Sequence, residues 1–176
     1  MKYITKKSIL YPDYLASSVT DISIRVLQEN NISHVVFDLD ETLLVRQATA
    51  ISKANILFIK KLQQAGLSVC IASNTLRDTN TIAKESGLDI FQPSKFSFKP
   101  RRNFYLRVLA QTSAKPEQVV MIGDRIINDI VGANRAGIKT VLVDAISRPQ
   151  GRLHRLYLSQ VLKKTDKKGQ YDKNNN

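Results

Sequence analysis

Acidic residues at four positions of this chain have the types and spacing needed for chemistry on a phosphate group. Asp38 and Asp40 directly follow the apolar run 34–37, whereas Asp124 and Asp129 follow a second apolar run later in the chain. A carboxylate such as Asp38 can attack phosphorus, and Asp40 can protonate the leaving alcohol and later deprotonate an attacking water. The spacing therefore predicts a nucleophile and a general acid–base that share one pocket.

Acids that converge on one pocket would repel one another unless a cation lay between them. Mg²⁺ prefers hard oxygen ligands and usually retains several waters. We expect Asp38 and Asp124 to be direct magnesium ligands and Asp129 to be a further acid, acting directly or through a water. The metal would also shield the negative substrate from the attacking carboxylate. The alternative, in which Asp40 or Asp129 merely caps a turn or helix, stays open at this point.

Three further residues have side chains or amides suited to binding phosphoryl oxygens. Ser73 offers a hydroxyl, Asn74 a backbone amide and Lys99 a positive charge. Phosphoryl transfer depends on such positioning and on positive charge around the equatorial oxygens. We therefore predict phosphate binding by these three residues.

Hydrophobic patterning predicts how residues so far apart in sequence could meet. Apolar strands alternate with helical patterns, which is typical of an α/β fold with a central parallel sheet. We predict strands over 34–37, 67–72, 90–91, 118–122 and 139–143, and helices over 22–29, 52–65, 78–87, 101–113 and 126–135. In open parallel sheets ligands bind beyond the carboxyl ends of the strands, and Asp38, Ser73 and Asp124 each follow such an end.

The two ends of the chain differ in composition from the central region. Residues 1–33 contain a turn-rich run and a helical pattern, and we expect them to pack on a catalytic core of residues 34–146. Residues 147–164 mix basic residues with leucines and predict a basic amphipathic helix, which could lie on an anionic membrane or pack its leucines on the core. Residues 165–176 have too little apolar surface to order themselves and are predicted to be disordered.

Charge and composition limit the partners. The net charge is +12 over 176 residues, and residues 147–176 carry half of it. This balance favours anionic partners such as lipid headgroups, nucleic acid or phosphorylated ligands, with a solubilising tail as the alternative. No stretch reaches the roughly 18 apolar residues of a membrane-spanning helix. The single cysteine, Cys70, excludes an intramolecular disulfide and is expected to be a buried apolar residue.

The motifs resemble those of the haloacid dehalogenase-like (HAD) phosphatase superfamily over roughly residues 34–143. Four segments carry the resemblance in the order expected: Phe37-Asp38-Leu39-Asp40-Glu41-Thr42-Leu43, Ser73-Asn74, Lys99-Pro100, and Gly123-Asp124 with Asp129.

This resemblance implies a three-layer Rossmann-like HAD fold, Mg²⁺ as the cofactor and an aspartyl-phosphate formed on Asp38. It also implies that the backbone carbonyl of Asp40 is a magnesium ligand. The superfamily's dehalogenases lack an acid at the position of Asp40, and its transport ATPases carry Thr there. Asp40 therefore implies a phosphatase or phosphotransferase.

A closer resemblance, over about residues 8–158, is to the YqeG-type family in HAD subfamily IIIA. It is carried by Leu10-Tyr11-Pro12-Asp13 with Ser18 and Asp21-Ile22, by the run 123–135 and by the strand 140–143. This family is similar to the mitochondrial phosphatidylglycerophosphatases, which remove the terminal phosphate of phosphatidylglycerophosphate. The chain departs from the family pattern in having Glu41 where Asn is common, and Arg125 and Asn128 where Gln and Thr are common.

The spacing of the motifs leaves no room for a cap domain. Thirty residues separate Thr42 from Ser73, and 25 separate Ser73 from Lys99. One helix and one strand fill each gap. An uncapped site is open and suits a substrate presented on a surface, a macromolecule or a partner subunit.

These inferences predict a magnesium-dependent phosphomonoesterase, with phosphatidylglycerophosphate at a membrane surface as the most specific substrate. We expect a cytoplasmic protein, with peripheral attachment to the inner face of the membrane left open. A phosphatase of a phosphoprotein, a nucleic acid end or a small phosphomonoester is the first alternative. A nucleic-acid- or ribosome-binding protein on the same fold is the second; the charge favours it, but the absence of a basic–aromatic pattern and the presence of Asp40 do not.

Overall fold

The computed structural model describes residues 1–4, 8–147 and 151–163, and its central feature is one seven-stranded sheet. The strand order is β1-β2-β7-β6-β3-β4-β5, and all neighbours are parallel except β1 and β2. The strands are β1 (Lys2–Tyr3), β2 (Tyr14–Leu15), β3 (His34–Phe37), β4 (Ser68–Ala72), β5 (Ile90–Phe91), β6 (Val119–Gly123) and β7 (Lys139–Leu142). The predicted α/β fold with a central parallel sheet is confirmed.

Helices connect the strands and cover both faces of the sheet. They are α1 (Ile24–Glu29), α2 (Lys53–Gln64), α3 (Asn80–Ser86), α4 (Arg102–Thr112), a π-helix (Ile126–Val131), α5 (Gly132–Arg135) and α6 (Arg152–Leu162). Two single 3-10 turns, Val19–Asp21 and Pro116–Gln118, complete the described elements. The boundaries of α1, α2, α3 and α4 lie within about two residues of those predicted, which is the usual uncertainty of helix ends. The single helix predicted over 126–135 is a π-helix followed by α5.

The alternation of side chains along the central strands divides the core into two layers. Val35 and Phe37 of β3 pack with α1 and α2, whereas Val36 packs on the opposite face with α4 and α5. Successive side chains of a strand point to opposite faces, so a strand buried on both sides must be apolar throughout. The all-buried run Val119–Gly123 follows the same rule.

Local capping explains where α2 begins and ends. The hydroxyl of Ser52 accepts a hydrogen bond from the Asn55 amide at 3.2 Å, as the sequence predicts for an N-cap. At the other end Gly66 has a φ of +84°, a conformation that costs little only for glycine. The helix therefore stops where the chain must turn into β4.

The turn-rich run predicted within residues 1–33, Leu10-Tyr11-Pro12-Asp13-Tyr14-Leu15, is in part wrong, because Tyr14 and Leu15 form a strand paired with β7. Asp13 makes this pairing possible: its carboxylate accepts from the Thr140 amide at 2.9 Å and from the Thr140 hydroxyl at 3.2 Å. In return the Asp13 amide donates to the Thr140 carbonyl at 3.1 Å. These partners are 127 residues apart, so local sequence signals could not show the strand.

The segments between the motifs contain no additional domain within the fully described range 8–147. Residues 43–72 hold α2 and β4, and residues 74–98 hold α3 and β5. The predicted helix in 147–164 is observed over Arg152–Leu162, and the predicted tail at 165–176 lies outside the described residues. Among the described helices, none has the length and apolar character needed to cross a bilayer.

Candidate active site

The sheet brings the residues singled out by the motifs to one edge. Asp38 and Asp40 follow β3, Ser73 and Asn74 follow β4, and Asp124 follows β6. These segments open onto a cavity of about 400 Å³. Its lining residues are Asp38, Asp40, Arg46, Gln47, Ser73, Asn74, Thr75, Leu76, Arg77, Lys99, Arg125 and Asn128.

Lys99 joins two of the acids at the bottom of the site. Its Nζ donates to Asp38 Oδ1 at 2.5 Å and to Asp129 Oδ1 at 2.6 Å, and the lysine side chain is only 2% exposed. Burial by itself would lower the pKa of Lys99, but the charges of Asp129 and Asp38 outweigh it and raise that pKa. Lys99 is therefore a fixed positive charge next to Asp38.

Three buried carboxylates form a cluster of the size that binds a metal ion. Asp38, Asp124 and Asp129 each place an oxygen within 4.8 Å of the others. When all three carboxylates are ionised beside Lys99, two negative charges are in excess, which a divalent cation would balance. Burial raises the pKa of Asp129 to about 7 despite the opposing charge of Lys99, and a bound cation would favour its ionised form. The donor set fits a hard divalent metal, and the Asp40 carbonyl stays a predicted ligand.

Asp129 reaches the cluster because residue 123 has no side chain. A Cβ built on Gly123 would lie 2.4 Å from Cγ of Asp129, which is closer than any real contact. The other oxygen of Asp129 accepts from the Arg125 amide at 3.0 Å. Asp129 thus folds back on the end of β6: one carboxylate oxygen caps the amide of Arg125, the residue that precedes the π-helix, and the other receives Lys99, so the acid does more than cap the helix. Next to it, the Thr42 hydroxyl donates to Asp124 Oδ1 at 3.4 Å.

The motif Ser73-Asn74 positions the backbone of Lys99, which the sequence did not show. The side-chain amide of Asn74 donates to the Lys99 carbonyl, and its oxygen accepts from the Lys99 amide, both at 2.8 Å. Ser73 is buried, and its hydroxyl accepts from the Thr75 amide at 3.1 Å. Asn74 therefore holds the backbone from which Lys99 extends, whereas phosphate binding by Ser73 and the Asn74 amide stays a prediction.

Arg77 is a site residue that the motifs did not identify. Its Nη2 donates to Asp40 Oδ1 at 3.0 Å, and its Nη1 donates to the Ala48 carbonyl at 3.1 Å. The arginine thus holds the second acid and the loop after β3 together. A basic residue four positions after Ser73 was the available signal, but its contact with Asp40 depends on the pairing of β3 with β4.

Glu41 also has an unanticipated structural task. It is 2% exposed and has a φ of +68°, a region in which Asn is the better tolerated residue, in keeping with the family pattern. Its carboxylate accepts from the Arg46 amide at 3.1 Å and from the Ser147 amide at 2.9 Å and hydroxyl at 2.8 Å. Glu41 therefore connects the loop that carries Asp40 to the segment leading into α6.

Comparisons with known proteins relate the chain to haloacid dehalogenase-like hydrolases. Two family models match adjoining parts of the chain: haloacid dehalogenase-like hydrolase over residues 35–94 and HAD-hydrolase-like over residues 98–153. The chain is 26% identical over 167 residues to a Bacillus subtilis protein described as "Probable phosphatase YqeG"; the match covers 93% of this chain and 95% of that protein.

Solved structures show the same fold. An uncharacterized protein from Listeria monocytogenes serotype 4b superposes with a TM-score of 0.54 at 22% identity, over 74% of this chain and 98% of that one. The cobalt-bound deoxy-D-mannose-octulosonate 8-phosphate phosphatase of Haemophilus influenzae gives a TM-score of 0.52 at 19% identity, over 75% of each chain.

The fold and the matches together define a hydrolase whose candidate site holds carboxylates at the strand ends. The chain belongs to the haloacid dehalogenase-like superfamily and is an enzyme of its phosphatase type. The resemblance inferred from the motifs is confirmed at this level.

Proposed function

We propose that this chain is a magnesium-dependent phosphomonoesterase that works through an aspartyl-phosphate on Asp38 and acts on phosphatidylglycerophosphate at a membrane surface. The observation that carries the catalytic part is the contact of Lys99 with both Asp38 and Asp129 inside the buried carboxylate cluster. Such an arrangement pairs Asp38 with a fixed positive charge and offers that charge to an incoming phosphoryl group.

The first half-reaction transfers the phosphoryl group to the enzyme. A carboxylate oxygen of Asp38 forms a bond to phosphorus while the bond from phosphorus to the ester oxygen breaks. Asp40, oriented by Arg77, gives its proton to that oxygen, and the alcohol leaves. Lys99 stabilises the charge on the phosphoryl oxygens throughout.

The second half-reaction restores the free enzyme. Asp40 takes a proton from a water, whose oxygen bonds to phosphorus as the bond to Asp38 breaks and inorganic phosphate leaves. Asp38, Asp124, Asp129 and the carbonyl of Asp40 would hold Mg²⁺, which supplies Lewis-acid charge stabilisation when bound. Ser73 and the amide of Asn74 bind the phosphoryl oxygens.

The lipid substrate is supported by three properties of the chain. The YqeG-type resemblance spans residues 8–158, the site is open, and the net charge of +12 favours an anionic surface. We place the enzyme in the cytoplasm, as a peripheral protein on the inner face of the membrane. Cell fractionation with and without high salt tests this location.

The decisive experiment measures phosphate release from vesicles that contain phosphatidylglycerophosphate, with Mg²⁺ or with EDTA. We expect Mg²⁺-dependent release that Asp38→Asn abolishes while thermal unfolding stays cooperative. Glu117→Gln is the matched control, because Glu117 is an exposed acid before the amino end of the same strand that leads to Asp124. Normal turnover by Asp38→Asn would contradict the assignment of Asp38 as the nucleophile.

The same assay separates the alternatives. Release from a phosphopeptide, a nucleic acid end or a small phosphomonoester, but not from the vesicles, would keep the phosphatase and overturn the lipid substrate. Salt-sensitive RNA binding that survives Asp38→Asn and EDTA, with no turnover of any monoester, would instead favour a binding protein.

A further inference from the structure

A set of exposed apolar side chains lies on the loops at the edge of the sheet that carries the cavity. Twelve large hydrophobic residues are exposed among the described residues. Five of them follow the carboxyl ends of β3, β4, β5, β6 and β7, one after each strand: Val45, Leu76, Phe96, Ile127 and Ile146. Carboxyl ends of parallel strands lie at one edge of a sheet, so these five residues are on loops at the same edge as the cavity, and Leu76 also lines it.

The degree of exposure is large for residues of this kind. Leu76 is 87% exposed, Phe96 is 68% exposed and Ile127 is 58% exposed. Single exposed hydrophobic residues are common and need no explanation, but a grouped set beside a functional cavity marks an interaction surface. We call these five side chains the apolar rim.

Basic residues stand beside the apolar rim in the sequence and on the surface. Arg46 follows Val45, Lys95 precedes Phe96 with its Nζ 5.5 Å from the ring centroid, and Arg125 lies two residues before Ile127. All three are exposed, and the two arginines also line the cavity. Arg77 is left out of this set because Asp40 engages it.

This mixture of apolar and basic side chains matches one kind of partner. At a bilayer surface apolar side chains insert below the headgroups, while arginine and lysine keep their charges at the level of the lipid phosphates. Basic residues are further attracted by the negative potential of anionic lipids. A phosphoprotein or a nucleic acid could also use the basic residues, but the exposed apolar side chains beside them fit the apolar layer of a bilayer.

We propose that the apolar rim, with Arg46, Lys95 and Arg125, is the face by which this protein docks on an anionic lipid membrane. Docking in this way opens the cavity toward the headgroups and presents Asp38 to a lipid phosphate. The proposal rests on the proposed lipid phosphatase activity. It uses a different surface from residues 147–164, for which the sequence left membrane contact and packing on the core as alternatives.

The contacts of α6 favour the apolar rim, rather than α6, as the surface that binds the membrane. Val161 of α6 is fully buried, and the Tyr157 hydroxyl donates to the Leu10 carbonyl at 2.6 Å, so part of the helix packs on the body of the protein. Leu156 and Leu162 remain exposed and make α6 the natural comparison.

The test compares variants of the full chain for binding to phosphatidylglycerol vesicles by co-sedimentation. The rim variant combines Val45→Ser, Phe96→Ser and Ile127→Ser, which avoids the residues that line the cavity. Three apolar side chains withdrawn from the interface should weaken vesicle binding by about tenfold or more. Vesicles of neutral phosphatidylcholine should bind the unmodified protein weakly.

Two control variants make the outcome specific. Leu57→Ser removes an apolar side chain of α2 that is 60% exposed, and Leu156→Ser with Leu162→Ser alters α6. Both should bind phosphatidylglycerol vesicles as the unmodified protein does. Unchanged binding of the rim variant, or loss of binding only in the α6 variant, would overturn the proposal.

Turnover separates this proposal from the proposed function. The rim variant should lose turnover of the vesicle substrate relative to soluble p-nitrophenyl phosphate, measured on the same preparation. Rim-dependent vesicle binding without any lipid phosphate release would keep the docking face and overturn the lipid substrate. If the rim variant retains full lipid turnover, the lipid substrate is kept and the docking face is overturned.

Discussion

Nη2 of Arg77 lies 3.0 Å from Oδ1 of Asp40, and this ion pair joins the loop after β4 to the loop after β3. Both side chains are 27% exposed, so the pair contributes little to folding stability. Its consequence is geometric: Asp40 is held at the cavity, where an acid must be placed to protonate a leaving group. Arg77 is therefore a positioning residue for the proposed chemistry.

Replacement of Arg77 by Gln should affect catalysis in a way that depends on the leaving group. We expect kcat to fall by about 10- to 100-fold for an alkyl phosphate, because misplacement of Asp40 removes general acid catalysis. The loss should be smaller for p-nitrophenyl phosphate, whose leaving group needs little protonation. Arg77→Lys should recover part of the activity because it retains the charge.

The control for this prediction is Arg25→Gln, which breaks an exposed ion pair with Glu29 on α1. It should leave both substrates unaffected. Equal losses for the two substrates in Arg77→Gln would show that Arg77 only supports the local structure.

Gly123→Ala should weaken metal binding without abolishing the fold. The added Cβ would overlap Asp129, and that acid would have to leave the carboxylate cluster. We expect roughly 10- to 100-fold weaker Mg²⁺ binding by calorimetry, in the range typical of perturbed metal-site geometry. Gly151→Ala is the control, since a Cβ there meets nothing within 4 Å. Normal Mg²⁺ affinity in Gly123→Ala would count against Asp129 as part of the site.

Glu41 and Ser147 should show coupled contributions to stability. Glu41→Ala removes a buried acceptor of several hydrogen bonds, and we expect it to lower the free energy of unfolding by about 2–3 kcal/mol in urea denaturation. Ser147→Ala should cost about 1 kcal/mol, because it removes the hydroxyl and leaves the amide contact in place. The double variant should cost less than the sum of the two single variants. Strict additivity would mean that the two residues do not interact.

Cys70 should be a slowly reacting thiol whose reactivity keeps rising at high pH. Burial, with a smaller effect of the Asp89 charge, raises the pKa of Cys70 to about 12. A raised pKa means less thiolate at every lower pH, and at pH 8 its fraction is about 10⁻⁴. Iodoacetamide alkylation of the folded chain should therefore still increase above pH 10. In urea the rate should level off near pH 9–10, as for an ordinary thiol; the same plateau in the folded chain would contradict the shift.

The sequence predicted the central fold because the signals involved are local. Apolar runs such as 34–37 mark buried parallel strands, and Ser52 and Gly66 mark the ends of a helix by their own backbone preferences. The strand Tyr14–Leu15 could not be predicted in this way. Its pairing depends on the contact of Asp13 with Thr140, and hydrogen bonds over such a separation leave no local pattern.

The same distinction between local sequence signals and long-range contacts applies to the candidate site. Residue types and their order along the chain were enough to single out Asp38, Asp40, Asp124, Asp129 and Lys99, because phosphate chemistry restricts which side chains can serve. The partners of these residues were decided by the tertiary structure. Strand pairing and loop conformation set the distances from Arg77 to Asp40 and from Lys99 to Asp38, and a side chain's partner depends on distance in space rather than in sequence.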